Sequence, residues 1–407
     1  MHLNEYATVS SIVSPEDNST TAIPIADQDR YSRQVLFPGI GALGQQRLAA
    51  SHVAIVGCGA MGAASASLLA RAGVGALTLI DRDFVEPSNL QRQVLFDEAD
   101  ARDTLPKAEA ARRHIALFNS RVTVHARIAD LTPTNVAELL APSHSNPTGQ
   151  PAPLIILDAT DNFETRYLIN DFAVQRGIPW IYAAAIGAYA ATMNILPAHT
   201  PGAPSMAQSH RDMGGMQTPP TACLACIFPK PPAGNVETCD TAGILSTAVN
   251  LAASIQVTET LKFLTGQPHL MRRTLLSFDL WNSIGAGPEG KGYLDRSEIS
   301  ASTPRPDCEV CGQRIFTHLA GQDRAHITLC GRDSVQIHEH HRPVDFTALH
   351  ARLAAHAEIQ GLRCNDLLLR FRRGPLTLTL FADGRAIVQG TTDIAVARSL
   401  YARFIGA

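Results

Sequence analysis

No stretch of this sequence reaches the roughly 18–20 apolar residues that a bilayer-spanning helix needs, and its first residues lack the basic segment and apolar run of a secretory leader. These absences create the expectation of a cytoplasmic protein with no membrane partner. Excess charge is missing too: 34 Lys and Arg against 37 Asp and Glu leave a formal net charge of -3. That is too little for the electrostatic footprint of a nucleic-acid binder, and no nucleic-acid partner is expected. Cysteine is sparse. Eight in 407 residues exclude a disulfide scaffold, and paired cysteines in a reducing compartment hold metal or do redox work. What the chain does have is apolar residues, 45% of the total, enough for a large core and two or three domains.

Residues 1–26 are rich in Ser, Thr, Asn and Asp without sustained period and read as a flexible tail. From Val53 to Asp81 the pattern is strand, helix, strand: an apolar run ending at Val56, an Ala- and Leu-rich helix over Ala60–Ala72, and a second strand over Ala76–Ile80. Further apolar runs at Val122–Val124, Leu154–Leu157 and Trp180–Tyr182 alternate with helical patterns, the signature of a mostly parallel α/β sheet. Leu251–Leu264 reads as an amphipathic helix. Two Pro-, Gly- and Ser-rich segments, 141–153 and 200–221, read as surface insertions. Composition changes near Arg314, which divides the chain into a domain over 27–313 and a small α/β module over 314–407. The module reads as a helix over Val344–Ala357, strands over Asp366–Phe371 and Leu376–Leu380, a turn at Asp383-Gly384 and a closing helix over Asp393–Ile405.

The turn after the first strand is Gly57-Cys58-Gly59-Ala60-Met61-Gly62, placed where backbone amides and a helix N-terminus meet phosphate. Asp81 follows Gly62 by 19 residues, where a carboxylate can accept hydrogen bonds from both ribose hydroxyls. Up to this point a nicotinamide-dependent oxidoreductase fits equally well. Ser88-Asn89-Leu90-Gln91-Arg92-Gln93 then adds a fork-shaped cation and amides where a triphosphate would extend, which hydride transfer does not require. Lys107 can supply a second positive charge. Asp158-Ala159-Thr160-Asp161-Asn162 follows the strand ending at Leu157; Asp161 can hold Mg²⁺ or cap the next helix, and Asp158 reads as structural. Cys223 and Cys226 form one CxxC pair and Cys308 and Cys311 another, together the sulfur shell of a closed structural zinc site. Cys58, Cys330 and Cys364 read as packed thiols.

Arg30-Tyr31-Ser32-Arg33-Gln34, the glycine turn, Asp81-Arg82-Asp83, the Ser88–Gln93 run, Leu105-Pro106-Lys107, Asp158–Asn162, the two CxxC pairs and Thr238-Cys239-Asp240-Thr241-Ala242-Gly243 occur in one order and spacing. Together they resemble the ThiF/MoeB family, adenylyltransferases related to ubiquitin-activating E1 enzymes. The likeness continues through Leu329–Ile337 and Phe381–Gly406, similar to the longer ThiF-type proteins.

The resemblance implies a Rossmann-like adenylation fold and ATP-dependent activation of the Gly-Gly carboxylate of a ubiquitin-like sulfur carrier, ThiS-like or MoaD-like. It implies ATP, Mg²⁺ and Zn²⁺ as cofactors. Gly57, Gly59, Ala60, Gly62, Asp81, Ser88, Asn89, Leu90, Gln91, Arg92, Lys107, Asp161 and Asn162 would line the nucleotide site. A homodimer is implied, with Arg33 reaching the partner's site, as is a sulfur donor such as a cysteine desulfurase. Cys239 matches the position that in ThiF-like members links covalently to the carrier and that MoeB-like members do without. Two departures stand out: Ala60 replaces a frequent glycine, and the 200–221 insertion lengthens the approach to Cys223. A non-catalytic scaffold for a ubiquitin-like protein is the rival outside enzymes.

Overall fold

The computed structural model describes residues 27–140, 154–198, 219–230, 242–281, 295–321, 334–337, 344–381 and 384–405. The expectations for the tail, for 141–153 and most of 200–221, and for Cys239, Cys330 and Asp383 fall outside these residues.

Two sheets organise the described chain. The first has eight strands: β1 His52–Val56, β2 Ala76–Ile80, β3 Thr123–Arg127, β4 Leu154–Asp158, β5 Trp180–Ile186, β6 Tyr189–Ile195, β7 Thr274–Asp279 and β8 Asp295–Ser300. Their order is β3-β2-β1-β4-β5-β6-β7-β8. Every pair from β3 to β5 is parallel, and every pair from β5 to β8 is antiparallel. In β1, β2 and β4 every residue is buried, because helices cover both faces of a parallel sheet and leave no side for polar residues.

Alternation along β1 sorts the two layers. Val53 and Ile55 join the Ala60–Ala72, Lys107–Phe118 and Ser246–Leu264 helices on one face. Ala54 and Val56 join the Phe163–Arg176 helix and the cysteine-bearing segments on the other. The Ala60–Ala72 helix and β2 have the bounds read from the sequence. The long helix starts earlier than expected, at Ser246, and its buried stripe includes Gln256, Glu259 and Thr260. Gln256 explains its own burial: its amide donates to the carbonyls of Asp158 (2.9 Å) and Ile181 (3.0 Å), stitching the helix to β4 and β5.

The chain runs β1 to β2 to β3 outward on one side and returns to place β4 on the other side of β1. That reversal opens a crevice at the carboxyl ends of β1 and β4, the general ligand position of open α/β sheets. Two glycines make the turn after β1 possible. Gly57 has φ +90°, and a Cβ there would meet the Ala159 carbonyl; a Cβ at Gly62 would meet the carbonyl oxygen of Gly57.

The second sheet, ordered β10-β11-β12-β13-β9, is antiparallel throughout: β9 Ser334–Ile337, β10 Gln360–Cys364, β11 Leu368–Arg373, β12 Leu376–Phe381 and β13 Ala386–Gln389. Helices Phe346–Ala354 and Ile394–Phe404, N-capped by Asp345 and Asp393, close its core on one face. Residues just past the composition change still belong to the packing of the first sheet. Arg314 donates to the carbonyls of Val174 and Gln175, and Phe316 and Leu319 pack with the cysteine segments. Cys364, expected to pack, is exposed, because β10 is the edge of its sheet.

Gly62→Ala is expected to destabilise the protein by about 1–3 kcal/mol through overpacking against the Gly57 carbonyl, measured by urea unfolding. Unchanged stability would show that the turn has room to relax.

Candidate active site

The crevice is framed by backbone before any side chain enters it. Gly57 N–H donates to Ile80 O (2.8 Å) and Ala159 N–H to Val56 O (2.9 Å), so the glycine turn and the turn after β4 are tied to neighbouring strands. Gly59 is the N-cap of the Ala60–Ala72 helix. Unlike Gly57 and Gly62, a Cβ on Gly59 would meet no protein atom within 4 Å. The open space at Gly59 fits a ligand drawn up against the backbone at the positive end of a helix. Ala60 follows half-buried, a small side chain that leaves this opening in place.

Asp81, at the end of β2, accepts the amides of Cys58 (2.6 Å) and Asp83 (2.7 Å), one on each carboxylate oxygen. Each oxygen retains a second lone pair, the number a ribose diol can use. Burial pushes its carboxyl above the usual range, and Lys107 pulls it back. The buried Cys58 thiol is pushed up strongly by burial and then by Asp81, so it packs as expected and offers no thiolate. Lys107, only 3% exposed, sits at the first position of the Lys107–Phe118 helix with its ammonium 3.2 Å from Asp83. Arg82 pairs with Asp130 at 2.8 Å, and both Asp130 and Asp161 are among the acids that raise its pKa.

The turn after β4 separates the two roles read for its acids. Asp158 is fully buried and accepts the amide (2.9 Å) and hydroxyl (2.7 Å) of Thr160. Its other oxygen lies 3.3 Å from Arg166, itself buried and donating to Thr160 O at 2.6 Å. Asn162, not Asp161, caps the Phe163–Arg176 helix, accepting Thr165 N–H at 2.8 Å. Asp161 is therefore exposed and makes no hydrogen bond or contact ion pair among the described residues. A carboxylate left uncommitted at the crevice fits Mg²⁺, which takes one or two carboxylates beside phosphate oxygens and water.

The Ser88–Gln93 run lies in and beyond a short 3₁₀ turn, Pro87–Asn89. Asn89 is buried, and its side-chain oxygen accepts Glu86 N–H at 3.1 Å, holding the loop. Leu90 packs on the core, Ser88 and Gln91 are exposed, and half-buried Arg92 donates to Ser88 O at 2.8 Å. Arg33 is exposed on the Asp27–Val35 helix and has no hydrogen bond or ion pair among the described residues. That helix is pinned elsewhere, through Arg30 to Phe118 O and Gln34 to Ala72 O. Asp83, Asp130, Thr160 and Arg166 carry roles that the sequence reading did not assign. An Asp-Arg-Asp run at a strand end was the only local sign of the first.

The four paired cysteines converge in the layer that packs against the Phe163–Arg176 helix. Cys223–Cys308, Cys226–Cys311 and Cys223–Cys226 sulfurs lie 3.6, 3.3 and 3.9 Å apart, and all four sulfurs fall within 4.8 Å of one another. These separations exceed a disulfide bond of about 2 Å. They match the edge of about 3.8 Å of a tetrahedron with zinc–sulfur arms of about 2.3 Å. Arg305 N–H donates to the Cys226 sulfur at 3.3 Å, and hydrogen bonding from Cys223 lowers the Cys226 thiol to about 7. The residues fit zinc. Leu224 N–H on the Asn170 side chain (2.9 Å) and Tyr167 hydroxyl on Phe228 O (2.7 Å) bolt the cluster to the Phe163–Arg176 helix.

The ThiF family profile matches residues 31–310. The chain belongs to the ThiF family. Sulfur carrier protein ThiS adenylyltransferase of Bacillus subtilis (strain 168) is 40% identical over 381 residues, spanning 93% of this chain and 99% of that protein. Sulfur carrier protein adenylyltransferase of Thermus thermophilus is 34% identical over 286 residues, 70% of this chain and 90% of the relative. The crystal structure of E. coli MccB with ATP is similar at TM-score 0.51 and 22% identity, covering 70% of this ThiF-family chain and 74% of MccB; that likeness concerns the fold.

Purified, reduced protein is expected to carry about one zinc per chain, lost with partial unfolding in Cys308→Ser. Metal analysis giving near-zero zinc for the unsubstituted chain would overturn the assignment.

Proposed function

We propose that this protein uses ATP to adenylate the C-terminal Gly-Gly carboxylate of a ThiS-like ubiquitin-like sulfur carrier, for sulfur transfer in thiazole synthesis. The observation that carries this reading is the 40% identity, over 93% of the chain, to a ThiS adenylyltransferase. The crevice has the chemistry the reaction needs. The carrier's carboxylate oxygen forms a bond to the α-phosphorus, the bond from that phosphorus to the bridging oxygen breaks, and pyrophosphate leaves with that electron pair. The product is an acyl adenylate.

Such a transfer needs positioning and charge neutralisation more than a protein nucleophile. Gly57, Gly59 and Gly62 shape the backbone cradle, and Asp81 holds the ribose. Lys107 and Arg92 offset phosphate charge, while Asn89 keeps the loop bearing Arg92 in place. Magnesium bound at Asp161 would neutralise charge on the departing pyrophosphate. Arg33 is exposed on its helix, which fits a homodimer in which it completes the partner's site. Exposed Leu36, Phe37 and Leu43 beside it offer an apolar surface for such a contact. Cys239 takes the activated carrier in covalent linkage, and a cysteine desulfurase supplies the sulfur.

A MoaD-like carrier, in molybdenum cofactor synthesis, is the second reading, and Cys239 separates the two. Arg92→Ala is expected to lower ATP–pyrophosphate exchange by at least about 100-fold without changing thermal unfolding. Normal exchange would show that Arg92 does not meet phosphate. Cys239→Ala is expected to keep exchange and stop thiocarboxylate formation on the carrier. If thiocarboxylate still accumulates, the cysteine-independent route holds.

A further inference from the structure

The C-terminal sheet is seated on the back of the segment that carries the crevice's charged residues. Residues 83–85 pair with 105–107: Lys107 N–H donates to Asp83 O (2.9 Å), Val85 N–H donates to Leu105 O (2.8 Å), and Phe84 bridges Pro106. Side chains alternate along this short ribbon. Asp83 turns to the Lys107 ammonium, and Phe84, 5% exposed, turns the other way into a cluster with Leu368, Phe381 and Ile387. Those three residues lie on the face of the second sheet opposite its own helices. Arg370, on that same face, lays its guanidinium 4.4 Å from the centre of the Phe84 ring.

Polar bonds fix the seat at two further points. Arg385 donates to Ile128 O at 2.7 Å, just beyond β3. Arg363 donates to Arg102 O at 2.7 Å, at the end of the helix that leads into Leu105-Pro106-Lys107. The module thus holds the ribbon strand that follows Asp81 at Phe84, the helix ahead of Lys107 at Arg102, and the chain just past β3 at Ile128.

We infer that the C-terminal module is a positioning element of the nucleotide site, holding Asp81, Asp83 and Lys107 in register through Phe84, Arg370, Arg363 and Arg385. None of these four touches the reacting atoms. This rests on the reading that the crevice binds ATP. It accounts for the apolar patch on the module's arginine-bearing outer face: a sheet face built for solvent has no reason to present Leu368, Phe381 and Ile387 together.

The test compares ATP–magnesium affinity by calorimetry with carrier affinity measured without nucleotide, in the full-length protein. Arg370→Ala and the double variant Arg363→Ala/Arg385→Ala are expected to weaken ATP binding roughly tenfold and leave carrier binding unchanged. Phe84→Ala should do the same, and Phe84→Leu, which refills the apolar socket, should recover most of the affinity. Unaltered ATP affinity in the arginine variants overturns the inference, as does parallel weakening toward ATP and carrier, which signals general loosening. If the unsubstituted protein binds ATP but exchanges no pyrophosphate, the adenylation reading fails while the affinity comparison still decides the positioning role. If it binds no ATP, both fail.

Discussion

The carboxyl ends of β1 and β4 lie side by side because no side chain stands between them. Gly57 turns at positive φ against the Ala159 carbonyl, and Gly62 presses its Cα onto the Gly57 carbonyl. This close backbone approach brings the glycine turn and the Asp158–Asn162 turn to the same crevice. It also permits the hydrogen bond from Ala159 to Val56 that locks the two strand ends. The buried Asp158–Arg166 pair then stiffens the second turn. Burying that pair is costly, and Thr160 offsets part of the cost by donating twice to Asp158 and accepting from Arg166. The result is a rigid base from which Asp161 projects without spending its own carboxylate on structure.

Charge in the crevice is alternated. Asp83 beside Lys107 and Asp130 beside Arg82 compensate cations that burial would otherwise penalise. A site built this way is organised before a polyanion arrives, so little reorganisation accompanies binding. In the layer of the Phe163–Arg176 helix the cysteine cluster does the corresponding work for the chain's long excursions. It joins the segment after β6 to the segment after β8, and Asp171, accepting the amides of His318 and Leu319, ties the following turns to the same helix. The C-terminal module adds a third constraint, acting on the ribbon that carries Asp83 and Lys107.

The parallel half of the main sheet was legible because β1, β2 and β4 are buried on both faces and so appear as unbroken apolar runs beside glycine punctuation. The antiparallel half was not. β8, Asp295–Ser300, is exposed at every position and carries four polar or charged side chains before Ile299, so neither a run nor an alternation marks it. β10, at the edge of its sheet, is similarly open. The candidate residues that type and spacing pointed to, the glycines, Asp81, Asp161 and the paired cysteines, lie at the crevice or in the sulfur cluster, and Lys107, singled out by the family resemblance, is buried beside Asp83. Arg166 was hidden by its place in a helix whose sequence gives no reason to single out one arginine.

The sequence by itself determined the central strand-turn-helix-strand unit and the pairing of four cysteines in a pattern that fits zinc. Each depends on local geometry: the period of apolar residues, the conformational freedom of glycine and the two thiolates a single turn can offer. Only the tertiary structure showed what holds Asp158, namely Thr160 and Arg166, and that Asn162 rather than Asp161 caps the following helix. It also decided that Lys107 belongs with Asp83, 24 residues away in sequence, and that Phe84 faces the C-terminal sheet. Long-range pairing and burial are set by how layers stack, and no window of the sequence contains that information.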